Sequence, residues 1–291
     1  MKIVILSGKG GTGKSVITSS LAVELSKEFK IVLVDADADC PNQHILFKGR
    51  IIKKEPIQAS KTAILDIKKC SLCKTCINVC QFGAIKEYGK EITIDPMKCE
   101  GCGACTYVCP KNAIKLWPKI NGYLIIKKTK KFSLVYGKLL PGESASGKVV
   151  FEAKKAGENI SQKENSDLIL IDSAAGIGCP VIASITGSNY VIGVVEPTQT
   201  SIRNLERALE VVKHFGVPYS IVMNKVGISK EFEEKIENEF GDKIIGKIPY
   251  DDNIPYLLAE GIPPVLGKGI SKEKLKEFTK NVKEIIRRRF E

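Results

Sequence analysis

The chain has 291 residues, 43% of them hydrophobic and 27% charged, a balance that excludes a disordered or fibrous protein and allows one large core or two domains. Its 45 basic against 33 acidic residues give a formal charge of +12, which would attract nucleic acid, an anionic membrane or an acidic partner, but the lysines are scattered and fit better the ion-pair-rich surface of a heat-adapted protein. The start of the chain has no basic leader with a long apolar stretch, and no run approaches the roughly 20 apolar residues of a membrane span, so a cytoplasmic protein is expected, in which ten cysteines point to metal rather than disulfides.

The apolar run at 3–6 predicts a buried strand, a helix follows over about 13–27, and 31–34 predicts a second strand ending at Asp35. This is a βαβ unit, and it predicts a parallel sheet covered by helices. The turn between strand and helix reads Gly8-Lys9-Gly10-Gly11-Thr12-Gly13-Lys14-Ser15. It satisfies G-x-x-x-x-G-K-[ST] in the context that gives the motif its meaning. Loop N–H groups and the helix dipole would face phosphate oxygens, Lys14 would contact the β and γ phosphates, and Ser15 would ligate Mg²⁺.

From about 61 to 119 the pattern changes to short strands and clustered cysteines and glycines. Cys70, Cys73, Cys76 and Cys80, then Cys99, Cys102, Cys105 and Cys109, each follow C-x2-C-x2-C-x3-C, and the second run lies 29 residues after the first. CQFGAIK at 80–86 repeats as CPKNAIK at 109–115. Structural zinc competes, since Zn²⁺ also takes four thiolates. The x3 spacing, its repetition and Pro110 favour iron–sulfur. The runs resemble a two-cluster bacterial ferredoxin, which implies that Cys70, Cys73, Cys76 and Cys109 bind one [4Fe-4S] cluster and that Cys99, Cys102, Cys105 and Cys80 bind the other. Gln81 stands where proline is usual.

The α/β pattern then resumes. Strands are predicted at 168–171, ending at Asp172, and at 191–195, 221–223 and 244–248, with a helix at 201–215 carrying Leu205, Ala208, Leu209 and Val212 at helical spacing. The stretch 127–156, with LLPGESASGK, reads as a surface connection between β-like runs. Cys40 and Cys179 read as packed residues, with a bridging cluster at Cys179 as a minority option, and His44 and His214 as structural. The last helix, with Leu275, Phe278, Val282, Ile285 and Ile286 before Arg287, Arg288 and Arg289, reads as packing on the sheet rather than on a membrane. The expected fold is a doubly wound, mostly parallel α/β sheet of the P-loop type formed by 1–60 and 120–291, with a small α+β ferredoxin-like domain inserted at 61–119. A compact insert whose ends lie close together costs its host little closure entropy.

Lys9, early in the loop, together with these features, resembles the deviant phosphate loop of the MinD, ParA, Mrp and nitrogenase iron-protein families. The resemblance implies a nucleotide-linked dimer in which Lys9 crosses to the partner's nucleotide. It extends to Val34-Asp35-Ala36-Asp37 with Asn42, a switch I in which Asp37 positions the attacking water and Asp35 supports Mg²⁺. It also covers Asp172-Ser173-Ala174-Ala175-Gly176, in which Asp172 holds Mg²⁺ and the Gly176 N–H reports the γ-phosphate. Relatives usually carry proline where this chain has Ala174 or Ala175. Asn224 and the turn Pro249-Tyr250-Asp251 resemble the adenine side. The implied protein is a slow Mg²⁺-dependent ATPase that binds ATP or ADP and works as a homodimer or with a similar ATPase. It would pass electrons, or clusters, to a redox or cluster-acceptor protein. The alternative is a positioning ATPase on DNA or membrane whose clusters are structural or sensory.

Overall fold

A computed structural model describes residues 1–143 and 146–290. The chain divides into two compact units: Met1–Lys54 with Leu124–Lys138 and Ser146–Glu291, and Glu55–Tyr123 with Leu139–Ala145. In chain order, β1 (Lys2–Ser7), α1 (Lys14–Leu25), β2 (Ile31–Ala36), the single turn α2 (Gln43–Leu46) and β3 (Gly49–Ile57) come first. They are followed by β4 (Ser60–Leu65), α3 (Thr75–Val79), β5 (Ile85–Tyr88), β6 (Glu91–Ile94), α4 (Ala104–Val108) and β7 (Ile114–Lys119). The rest comprises β8 (Gly122–Thr129), β9 (Ser133–Leu139), α5 (Ser146–Glu164), β10 (Leu168–Ala175), α6 (Cys179–Ile185), β11 (Tyr190–Val195), α7 (Gln199–His214), β12 (Tyr219–Val226), α8 (Lys230–Phe240), β13 (Ile244–Pro249), α9 (Asn253–Ala259) and α10 (Ser271–Phe290).

Nine strands form one sheet in the order β13-β12-β11-β1-β10-β2-β9-β8-β3, parallel from β13 through β9. Its central strands are near-continuous apolar runs because helices cover both faces; every residue of β2 and β11 is buried. The order reverses at β1, which lies between β10 and β11. Ligands of open α/β sheets bind at the carboxyl ends of strands beside such a reversal. The register sets Asp172 beside Asp35 there.

The stretch 127–156 is more ordered than a surface connection. It contains β9, which pairs parallel with β2 and buries Leu134 and Val135, and the first half of α5, which buries Val149, Val150 and Ala153. Ser144 and Ala145 lie outside the described residues, and the Pro, Gly and Ser around them hid the elements on either side. The stripe of α10 is used internally: Leu275, Phe278, Val282 and Ile286 are buried, and Lys283 and Arg287 pair with Glu28 at 2.6 and 3.0 Å. Among the described residues, no helix is long and apolar enough to cross a membrane.

The second unit is built from two antiparallel pairs, β4 with β7 and β5 with β6. Helices α3 and α4 begin 29 residues apart, as do β5 and β7, matching the offset of the cysteine runs. Its buried core is small: Ala63, Cys76, Ile85, Ile92, Cys105 and Ile114.

Candidate functional site

The phosphate-loop side chains come from strand ends and from the loop after β1. Gly13 has φ 90° and faces Asn224 so closely that a Cβ would collide with the amide, and a Cβ on Gly8 would meet the α7 backbone at Asn204. Glycine is therefore required for the loop to lie against β12 and α7. Lys14 opens α1 and is buried, its Nζ 3.0 Å from Asp172 Oδ1. The same oxygen accepts from Thr18 Oγ1 at 3.0 Å, and Oδ2 accepts from Gln43 Nε2 at 2.7 Å. Ser15 is half-buried, and its carbonyl accepts from the same Nε2 at 3.2 Å.

Asp35 is fully buried and accepts the backbone N–H groups of Asp37, Asn42 and Gln43 at 3.2, 2.8 and 2.9 Å. These bonds fold switch I over the strand end. Burial first, and the charge of Asp172 second, push the Asp35 carboxyl up to about 7. Burial opposes the Lys14 ammonium, yet Asp172, Asp37 and Asp35 outweigh it and hold its pKa above the ordinary lysine value. Burial also raises the Asp37 carboxyl, with Lys14 opposing. Three carboxyls around one ammonium are short of positive charge, which a divalent cation would supply. The Gly176 N–H, expected at the γ-phosphate, here donates to Ser7 O at 2.9 Å, and β10 runs through both alanines that stand in the proline region.

Beside the loop, Gly11, Gly13, Val16, Asn224, Pro249 and Tyr250 are among the residues lining a cavity of about 200 Å³. Asn224 Nδ2 donates to Thr12 O at 2.8 Å, while its Oδ1 is buried without a hydrogen-bond partner. An adenine amino group would satisfy that acceptor. Asp251 also lines the cavity, but its carboxylate is engaged: Oδ2 accepts from Ser271 N and Oγ at 3.0 and 2.8 Å, and Oδ1 from Asn253 N and Nδ2 at 3.0 and 2.9 Å. Burial opposes its charge, and these bonds outweigh burial and bring its pKa down to about 2.

Lys9 Nζ lies 2.6 Å from Glu196 Oε1, whose other oxygen is 2.6 Å from Lys225 Nζ. Lys225 also donates to Gly11 O at 2.7 Å. Burial disfavours the Glu196 carboxylate, and the two lysines more than compensate, so its pKa lies below the usual range. Gln43, Thr18 and Glu196 belong to the site although the motifs did not mark them. Glu196 was signalled by position alone, as the first polar residue after the apolar strand β11, the place that Asp172 holds on β10.

In the second unit, Cys99, Cys102, Cys105 and Cys80 line one cavity, so the last cysteine of the first run sits with the first three of the second. Cys99 Sγ accepts the Ala63 N–H at 3.3 Å, and Cys109 Sγ accepts that of Ala113 at 3.2 Å. Burial, followed by Cys99, pushes the Cys105 thiol up, and burial, with Cys70 and Cys73 adding to it, does the same at Cys76. The cysteine loops turn through left-handed residues at equivalent places, Leu72 and Lys74 (φ 56° and 62°) in the first run and Gly101 and Gly103 (φ 65° and 82°) in the second. Among the described residues, no three Cys, His, Asp or Glu side chains gather closely enough for a single metal ion. Cys40 and Cys179 are exposed, which corrects their reading as packed residues. His44 stacks on Tyr136 with centroids 4.8 Å apart.

Comparison with known proteins agrees with this geometry. The chain is 38% identical over 287 residues, 98% of each chain, to the uncharacterized protein MJ0578 of Methanocaldococcus jannaschii. It is 25% identical over 304 residues, 98% of this chain and 84% of the other, to the iron-sulfur cluster carrier protein of the same organism. Its fold is similar to that of the septum site-determining protein MinD complexed with Mg-ADP from Pyrococcus horikoshii OT3, with a TM-score of 0.61, 19% identity and 98% and 96% of the two chains covered. Residues 3–265 match the CobQ/CobB/MinD/ParA nucleotide binding domain. With a phosphate loop, paired strand-end aspartates and a base-sized cavity at the reversal of a parallel sheet, the chain belongs to this nucleotide-binding family.

Proposed function

We propose that the protein is an Mg²⁺-dependent ATPase whose nucleotide state gates electron transfer from an inserted two-cluster ferredoxin-like domain, at 61–119, to a partner protein. The observation that carries this reading is the crossed set of Cys80 with Cys99, Cys102 and Cys105 around one cavity, the sharing of a fourth ligand that two-cluster ferredoxins use. Cys70, Cys73, Cys76 and Cys109 would hold the second cluster. When bound, the clusters would supply one-electron carriers, and Mg²⁺, held by Ser15 with Asp35 and Asp172, would neutralise phosphate charge.

The chain's own residues then have defined work. Loop N–H groups from Gly8 through Gly13 take the phosphates, with Gly10, Gly11 and Thr12 at the turn, and Lys14 leaves Asp172 for the β and γ oxygens. The Asp37 carboxylate orients the attacking water and accepts its proton. Asn224 Oδ1 accepts from the base, with Pro249 and Tyr250 beside it. Gly176 exchanges Ser7 O for the γ-phosphate, and Lys9 turns to a second subunit's nucleotide. Ordering and release of both switches would couple hydrolysis to partner docking.

The name of the M. jannaschii carrier raises cluster delivery as the competing outcome. The test is anaerobic reconstitution, reduction of the clusters with dithionite and removal of its excess, followed by incubation with an apo-acceptor protein and with an oxidised redox protein, under ATP or ADP, for wild type and Asp37→Ala. We expect about eight irons per chain to be retained, and electron transfer at least fivefold faster with one nucleotide than the other. Rapid ATP-dependent loss of iron to the apo-acceptor would overturn electron donation.

A further inference from the structure

Gln43 is not part of any motif in the chain, yet it touches three segments of the nucleotide site. It is fully buried. Its backbone N–H donates to Asp35 Oδ2 at 2.9 Å, and its side-chain Nε2 donates to Asp172 Oδ2 at 2.7 Å and to Ser15 O at 3.2 Å. Its Oε1 is also buried and has no hydrogen-bond partner. Half of the amide is thus engaged at both ends of the magnesium site, and the other half is an unsatisfied acceptor beside them. A buried acceptor of this kind is destabilising unless a donor arrives.

We propose that Gln43 is the positioning residue of the magnesium site: Nε2 fixes Asp172 against Ser15, and Oε1 accepts a hydrogen bond from a water of the bound ion. This rests on the reading that Ser15 and Asp172 hold Mg²⁺. Mg²⁺ gives up its water reluctantly and usually keeps several molecules, so a site built from one hydroxyl and buried carboxylates presents water protons to its surroundings. A metal-bound water is a donor, and Oε1 is the acceptor without one. The same amide explains how Asp172 keeps its orientation when Lys14 moves to phosphate. Lys14 and Thr18 both sit on Oδ1, so the departure of Lys14 removes one of two contacts there, while the Gln43 bond at Oδ2 stays. Because the Gln43 main chain also holds Asp35, one residue couples the closure of switch I to the geometry of the Asp172 carboxylate.

The test is Mn²⁺ titration into the ATP complex of the full chain, read by loss of the free-ion EPR signal and set against ATP affinity in EDTA. Outer-shell partners of metal ligands typically contribute 10- to 100-fold to metal affinity. Gln43→Met, close in shape but without donor or acceptor, should bind Mn²⁺ at least tenfold more weakly, with metal-free ATP affinity within twofold of wild type. Gln43→Asn keeps the donor and the acceptor but shortens their reach by one methylene, so it should bind Mn²⁺ more weakly than wild type and no more weakly than Met, a reading that stands even where the Met variant does not fold. Unchanged Mn²⁺ affinity in the Met or Asn variant, or an equal loss of metal-free ATP affinity, would each overturn the proposal. Asp172→Asn separates the two levels. If it binds Mn²⁺ as wild type does, the magnesium reading itself falls.

Discussion

The nucleotide site and the cysteine unit both gather charged or ionisable groups, but they stand on different foundations. At the phosphate loop, Lys14, Asp35 and Asp172 are buried at the carboxyl ends of strands in a nine-stranded sheet whose apolar strands supply a core independent of any ligand. Their carboxylates are only partly balanced, by the Lys14 ammonium at Asp172 and by backbone N–H groups at Asp35. In the second unit, two of the six core residues are themselves cysteines, Cys76 and Cys105. A unit that small gains little from apolar burial and needs staples. Its Leu72 and Lys74 adopt left-handed backbone at positions where the repeat uses glycine, a cost of order 1–2 kcal/mol each that something else must offset. The first region is a scaffold that stands without a ligand, and under the proposed reading the second is a shell that its clusters would complete.

Removing a core thiol probes this contrast most severely. Cys105→Ser deprives one cavity of its buried ligand, and iron should fall from about eight per chain to about four or fewer. The second unit should lose protection from proteolysis, while ATP affinity of the first stays within twofold. Iron and sulfide assay beside nucleotide titration reads both. A variant with full iron, or one that loses ATP binding in step, would erase the distinction between scaffold and shell.

A smaller effect separates charges satisfied by the fold from charges awaiting a ligand. Asp251 has its carboxylate held near 2 by Ser271 and Asn253, with burial opposing. Its folded pKa lies below the unfolded value of about 3.9, so its stabilisation is complete above that value and is lost as pH falls through about 2. Asp251→Asn should lower stability at pH 7 by on the order of 2 kcal/mol, and the gap to wild type should shrink towards pH 2. Urea midpoints across this window, with iron content followed in parallel, check it. A gap that persists at pH 2 would assign the loss to shape rather than charge.

These contacts also explain what the sequence made legible. The phosphate loop, the switch aspartates and the apolar strands could be read because each is a local pattern: glycines at fixed spacing, or a short apolar run, which at 31–34 and 168–171 is four residues closed by an aspartate. The engagement of Asp251 with Ser271 spans 20 residues and has no local signature. Gln43 and Glu196 are single polar residues whose meaning depends on which strands become neighbours. Residues 139–143, outside the bounds 61–119, belong to the second unit. Within that unit Leu140 N donates to Asn121 O at 2.8 Å and Glu143 pairs with Lys119 at 2.7 Å, long-range contacts that composition does not encode.

The smallest effect tests whether the loop's signature lysine is held back by its own subunit. Lys9 is paired with Glu196, which also secures Lys225 against the loop at Gly11 O. In the proposed dimer Lys9 must leave this partner, and a partly buried pair of this kind resists by about 1 kcal/mol. Glu196→Gln keeps the shape and removes the charge, so self-association with ATP should strengthen about fivefold for each Lys9 released, about 25-fold for a dimer that releases two, by the usual tenfold per 1.4 kcal/mol. Association with ADP should change little. Sedimentation velocity at several protein concentrations measures both states. Weaker association with ATP would mean that Glu196 acts by bracing Lys225 and the loop, and the idea of a restrained Lys9 would be lost.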